Sequence, residues 1–218
     1  MTSTPPTTPT TRLDAAHFDS KARAWDENPV FQERGSKIAD AIRATVPLRR
    51  DMAALDYGCG TGLLSFPLKD ELGSILLADS SSGMLDVLAE KIAAQGVDNM
   101  TPVKLDLLAD PPPAQRFDLI YTSMTLHHVP DTARILGIFH ALLKPGAYLC
   151  VADLDKEDGS FHGVEVDVHH GFDRAALGQR ATTAGFTDVR FQPVFSISKE
   201  QPAGTRDYPV FLMTARRA

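Results

Sequence analysis

Cysteine is scarce in this chain: there are 2 in 218 residues, Cys59 and Cys150. That is too few for a secreted disulfide framework, and their spacing fits no zinc motif. Both fall in apolar runs, so buried reduced thiols are expected. No apolar stretch approaches the roughly 20 residues needed to span a bilayer. Basic charge is short as well, with 22 Lys and Arg against 28 Asp and Glu and a formal net charge of -6. This balance disfavours a broad phosphate-tracking surface and makes nucleic acid a poor first partner. The opening tract, Met1 to Thr11, is rich in Pro and Thr but lacks the apolar run of a leader peptide. Residues 1–12 are therefore expected to form a disordered tail, and 13–218 a single domain working in the cytosol. A hydrophobic content of 43% can build a sizeable core without a partner chain. Nothing in the sequence speaks to an oligomeric state.

What the chain does hold is glycine at the end of an apolar run. Leu55-Asp56-Tyr57-Gly58-Cys59-Gly60-Thr61-Gly62-Leu63-Leu64 places glycine at every second position where a strand should turn into a helix. Residues without a Cβ let backbone lie against a ligand there. The guest this suggests is a nucleoside. A dinucleotide fingerprint asks for glycine three residues after Gly60, where this chain has Leu63. The next apolar run, Ser74 to Ala78, ends at Asp79 and Ser80, where a carboxylate can accept ribose hydroxyls. An acidic residue at that point serves nicotinamide-binding folds equally well.

The later segments keep the rhythm. Pro102-Val103-Lys104-Leu105 ends at Asp106, Phe117 to Thr122 runs into Ser123-Met124-Thr125-Leu126-His127-His128-Val129-Pro130-Asp131, and Ala147 to Ala152 follows Leu143-Lys144-Pro145-Gly146. Helical spacing lies between them, with Met84, Leu85, Leu88 and Ile92 on one face before Gly96, and Ile135, Ile138, Phe139 and Leu142 after a capping Asp131. Upstream, Asp14 can cap a helix carrying Phe18, Ala22 and Trp25, which Asn28-Pro29 should stop. A second helix presents Ile38 and Ile42. The chain closes on a helix from Asp173 to Ala184 and two long strands, 187–198 and 208–215. No helix joins those strands, so they should pair antiparallel.

This ordered series resembles the class I S-adenosylmethionine-dependent methyltransferases, in their small-molecule branch of methyltransferase types 11 and 12, over roughly residues 14 to 217. The resemblance implies a Rossmann-like, doubly wound α/β sheet of seven strands in the order 3-2-1-4-5-7-6, its last strand pair antiparallel. It also implies that helices at about 13–47 form a lid. By position, Asp56 and the turn of Gly58, Cys59, Gly60 and Gly62 would line the methionine part of S-adenosyl-L-methionine. Asp79 and Ser80 would meet the ribose, Asp106 the adenine amino group, and Leu107 and Met84 would be apolar walls. Thr122 would offer its carbonyl to the methionine amine, and Trp25 would belong to the lid. Plainer readings stand beside these. Met84 also lies on a core stripe, Asp106 is placed to cap a turn, and Trp25 could simply staple its helix to the core.

Transfer of a methyl group already activated by a sulfonium needs positioning more than a dedicated base. Candidate proton acceptors are nonetheless concentrated. His127 and His128 follow the fourth strand, and Asp153, Asp155, His162, Glu165, His169 and His170 lie in or beside the segment after the fifth. His127, His128, His169 and His170 are the catalytic candidates, against the reading that they only order their loops. The same acidic and histidine-rich segment could bind a divalent metal, as in some hydroxyl methyltransferases, but its spacing matches no compact metal motif and no metal is expected. The expected function is methyl transfer from S-adenosyl-L-methionine to a small-molecule acceptor, with release of S-adenosylhomocysteine. Two alternatives stay open: a noncatalytic, cofactor-binding regulatory protein, and a nicotinamide-dependent oxidoreductase, against which Leu63 and the terminal strand pair both argue.

Overall fold

The computed structural model of the chain describes residues 15–163, 166–202 and 204–218. The tail expected at 1–12, Asp14 and Glu165 lie outside the described residues. Apolar runs of five to twelve residues form the parallel strands β1 (Ala53–Tyr57), β2 (Ser74–Asp79), β3 (Met100–Lys104), β4 (Phe117–Ser123) and β5 (Leu143–Leu154). The longer β6 (Phe186–Gln201) and β7 (Gly204–Arg217) complete one sheet in the order β3-β2-β1-β4-β5-β7-β6. β7 runs antiparallel to both β5 and β6. The physical reason is the connection: the turn between β6 and β7 is too short for a crossover helix, so the chain can only return beside itself.

Side chains alternate across β1 and β4 and divide the core between two faces. Ala54, Leu119 and Tyr121 pack on one side with Ile38, Ile42, Leu68 and Leu88. Leu55 and Ile120 pack on the other with Ile135, Phe139 and Leu177. The helices that supply these residues are α2 (Pro29–Thr45), α3 (Ser65–Leu68), α4 (Ser82–Gln95), α5 (Thr132–Leu142) and α6 (Arg174–Thr183), after a short α1 (Ala15–Asp19). Their ends follow local chemistry. The Asp131 and Asp173 carboxylates accept from Arg134 N and Ala176 N at 2.9 Å each, and Gly96 closes α4 in the left-handed conformation.

The expected first helix is divided. Its N-terminal part is α1, and Trp25 lies in a separate 3-10 turn, Ala22–Glu27. The break follows from competing anchors. Asp19 accepts the Ser81 hydroxyl at 2.5 Å and Gly83 N at 2.8 Å, which draws the end of α1 onto α4. Arg23 pairs with Glu90 at 2.8 Å, and Asp26 with Lys91 and the Thr61 hydroxyl, each at 2.5 Å. Asn28 then caps α2 by accepting from Val30 N at 3.0 Å, so the pair that stops one helical piece starts the next.

Candidate functional site

β1 has β2 on one side and β4 on the other, so the connections leaving their carboxyl ends diverge and open a crevice. A cavity of about 1080 Å³ fills it, running from the glycine turn to the histidines beneath the segment 15–34. This is at the upper end of the usual range for small-molecule sites, roughly 300–1,000 Å³. Two ligands fit in such a space.

The glycines of the turn have positive φ for different reasons. A Cβ on Gly58 (φ +71) would sit 2.3 Å from the Thr125 side chain, and one on Gly62 (φ +81) 2.7 Å from Leu88, so these two permit packing. A Cβ on Gly60 (φ +52) would meet nothing closer than Met84 Sδ at 4.0 Å, and Gly60 lines the cavity. Its bare backbone therefore leaves room for a guest.

Three carboxylates surround this end. Asp56 is 1% exposed and accepts the Ser65 hydroxyl at 2.6 Å, with Tyr121 OH at 2.6 Å from the same Ser65 oxygen. Burial pushes the Asp56 carboxyl up to about 7 and outweighs the Ser65 bond, which favours the charge. Asp79 is also raised by burial, although its carboxylate accepts Gly60 N and Ser81 N at 2.8 Å each. These bonds give Asp79 a share in holding the turn, besides the cavity wall it forms with Ser80. Asp106 accepts Leu108 N at 2.9 Å and lines the cavity, so it caps a turn and faces the guest at once. Cys59 lines the same end, its thiol held well above the usual range by burial, which makes it inert.

Met84 is 2% exposed, packed in the core, and still borders the cavity. Trp25 borders it too, its ring tilted at 40° against Phe31 with centroids 4.7 Å apart. Leu107 is 1% exposed and packs in the core away from the cavity, whose walls there are Leu105 and Leu108. Thr122 and Gly62 likewise stand behind the cavity surface, with Ser123 at the wall; the Thr122 hydroxyl is buried without a hydrogen-bond partner among the described residues.

The other end is built of imidazoles. His127 is 1% exposed, and its Nδ1 lies 2.6 Å from Asp153 Oδ1. Asp153, fully buried at the end of β5, also accepts His127 N at 3.2 Å and Leu154 N at 2.7 Å. A carboxylate so placed accepts from Nδ1 and turns Nε2 toward the cavity. That Nε2 is 3.0 Å from His162 Nε2. The His128 ring lies 4.1 Å from that of His127 and 5.2 Å from that of His162, with Phe18 edge-on to it at 5.4 Å. Burial, reinforced by the neighbouring imidazoles, holds His128 down at about 2 and His162 at about 3, so both are neutral. His169 and His170 are placed elsewhere. His169 Nε2 faces Val129 O at 3.0 Å, the His170 ring lies against Gly159, and neither lines the cavity.

Two contributors go beyond the sequence reading. Phe18 links α1 to the histidines. Arg34 reaches the cavity from α2 and makes no hydrogen bond or ion pair among the described residues; its guanidinium lies over Phe31 at 4.8 Å and is brought down to about 10 by burial. Both sit on helices whose apolar spacing accounts for core residues and hides the ones turned toward a ligand.

Comparison with known proteins follows this geometry. A family model described as "Methyltransferase domain" matches residues 31–190. An uncharacterized methyltransferase of Schizosaccharomyces pombe is 35% identical over 119 residues, covering 51% of this chain and 42% of that protein. The ubiquinone/menaquinone biosynthesis C-methyltransferase UbiE of Pectobacterium carotovorum is 35% identical over 113 residues, covering 50% and 45%. The chain thus spans about half the length of the curated relatives it matches. Among solved structures, the phosphoethanolamine N-methyltransferase 2 of Haemonchus contortus in complex with S-adenosyl-L-methionine superposes with a TM-score of 0.69 at 16% identity, over 88% of this chain and 52% of that one.

Proposed function

The chain belongs to the methyltransferase domain family, and we propose that it transfers a methyl group from S-adenosyl-L-methionine to a small-molecule acceptor, releasing S-adenosylhomocysteine. The observation that carries this reading is one continuous cavity, with a bare glycine turn and carboxylates at one end and an imidazole cluster at the other. The residues fit the cofactor. Gly60 leaves an open cradle, Asp56 and Asp79 present buried carboxylates suited to an ammonium and to vicinal hydroxyls, and Met84, Leu105 and Leu108 give apolar walls. When bound, the cofactor supplies an electrophilic methyl group on sulfur and leaves as a thioether.

The chain's own work is then to orient and dry the site. Phe18, Trp25 and Phe31 cover the cavity, and the anchors of Asp19, Arg23 and Asp26 on α4 and the glycine turn hold that cover down. Excluding water and fixing the acceptor near the electrophile are the main sources of acceleration for such a displacement. His127 and His128 stand at the acceptor end, where they position the acceptor; the burial that holds His128 at about 2 makes it a poor proton acceptor. His169 supports that loop from behind, its N bonded to His127 O at 2.8 Å, whereas the His170 ring packs on Gly159 and its carbonyl accepts Glu157 N at 3.0 Å. We assign the work to the cytosol: among the described residues no helix is long and apolar enough to cross a membrane, and both cysteines are buried and free.

Titration calorimetry with S-adenosylhomocysteine tests the reading. One-to-one binding is expected, weakened at least tenfold in Asp79→Asn, and label from methyl-labelled cofactor should appear in a product from a metabolite extract. Binding of a nicotinamide dinucleotide in place of S-adenosylhomocysteine would overturn it.

A further inference from the structure

We propose that His127, His128 and His162 form a three-histidine site for a divalent transition metal of the zinc type, with its open position facing the acceptor end of the cavity. One ring nitrogen from each residue lies within 4.8 Å of the others. A tetrahedral zinc with nitrogen ligands at about 2.0–2.1 Å sets those nitrogens about 3.3 Å apart. The His127–His162 pair, at 3.0 Å, is close to that spacing, and the third nitrogen lies within 4.8 Å of both. His162 then carries its proton on Nδ1 and turns Nε2 to the metal, a change of tautomer that leaves net charge unaltered.

Three independent features favour a metal over a chance meeting of rings. His127 is held by Asp153, a fully buried carboxylate on the opposite ring nitrogen; this is the arrangement that orients metal-bound histidines and raises their basicity. The Nδ1 of His128 is buried with no hydrogen-bond partner among the described residues, a polar atom that burial alone leaves unexplained. Phe18 and Phe161 stand edge-on to His128 and His162 at 5.4 and 4.8 Å, an apolar collar that strengthens coordination. Three histidines with one open position is an arrangement of catalytic zinc. Sequence spacing hides it, because His162 lies 35 positions from His127 and arrives on a separate loop.

The role of the metal, though not its presence, rests on the methyl-transfer reading. A hydroxyl or thiol of the acceptor seated at the open position would lose its proton to solvent more readily, and its lone pair would form the new bond to the methyl carbon as the carbon–sulfur bond of the cofactor breaks and S-adenosylhomocysteine leaves. The full chain, freed of metal by a chelator and without cofactor or acceptor, is titrated with Co²⁺, whose four-coordinate complexes absorb in the visible. One equivalent with an intense four-coordinate spectrum is expected, displaced by Zn²⁺. Affinity should fall at least a hundredfold in His162→Ala and, through His127, about 10–100-fold in Asp153→Asn. His170→Ala should match the wild type. Far-ultraviolet circular dichroism checks that each variant is folded, and His128→Ala replaces His162→Ala if the latter is not. Absence of stoichiometric cobalt uptake, or uptake indifferent to both His162 and His128, overturns the site. S-adenosylhomocysteine binding, measured on the same metal-free protein, stands or falls separately.

Discussion

Replacing Asp56 by Asn should change how stability depends on pH, in a direction fixed by burial. The Asp56 carboxyl is pushed from 3.8 up to about 7, chiefly because it lies 1% exposed between β1 and α3. For an acid raised on folding, the native state holds a proton that the unfolded chain has already lost. Its contribution is complete below about pH 4 and disappears as pH rises through about 7, a loss of about 4 kcal/mol in all. Between pH 5 and 8 about 2–3 kcal/mol of that is expressed. Urea denaturation of the ligand-free wild type across that range should therefore show stability falling with pH, and Asp56→Asn should follow a flatter profile. The Asn side chain keeps the acceptor for the Ser65 hydroxyl while removing the charge. Saturating S-adenosylhomocysteine should restore most of the wild type's loss at pH 8, because its ammonium supplies the missing counter-charge. Parallel profiles for the two proteins would refute the reasoning and mean that water solvates Asp56.

Two further perturbations separate roles that the sequence runs together. Gly58→Ala meets both the left-handed backbone and the Thr125 side chain at 2.3 Å and should lower stability by about 2 kcal/mol or more, whereas Gly60→Ala, with its nearest neighbour at 4.0 Å, should cost less stability yet weaken S-adenosylhomocysteine at least tenfold. Urea curves and calorimetry on the pair check this, and equal effects on both readouts would contradict the distinction. Arg34→Met removes a half-buried charge that has no hydrogen bond or ion pair among the described residues, with Asp153 acting on it only at longer range, and should raise the stability of the ligand-free protein by about 1 kcal/mol. The same variant should raise KM for an acceptor that carries a carboxylate or phosphate, and a loss of stability would show that Arg34 has a structural partner.

The sheet was legible because its order rests on local signals that leave few topologies. Most parallel strands carry a short apolar run that ends near an acidic or turn residue, and the missing helix between β6 and β7 forces the antiparallel return. The glycine end of the cavity was legible for a related reason: Asp56, the glycines and Asp79 lie at or just past strand ends, beside the crevice that opens where the sheet order reverses. Leu107 marks the limit of that logic. It occupies the expected segment, but one residue of register decides which side chain reaches the cavity, and the pattern gives Leu105 and Leu108 no priority over Leu107.

The imidazole end was illegible because its geometry depends on tertiary contacts between elements far apart in sequence. Asp153 reads as one more residue of a loop-facing acidic run, yet it ends inside β5, where pairing with β7 through Phe211 fixes its side chain toward His127. Histidine density identified the region and made His127, His128, His169 and His170 the candidates, leaving His162 outside that set. The structure instead pairs His127 with His162, since the chain after β5 folds back under Tyr208 and Lys199: Ser160 Oγ lies 2.7 Å from Tyr208 OH, and Lys199 donates to Phe161 O at 2.5 Å. The β6–β7 hairpin therefore does more than finish the sheet. By clamping residues 160 and 161 it sets where His162 stands, and through Ile197, Ser198 and Lys199 β6 also forms part of the cavity wall.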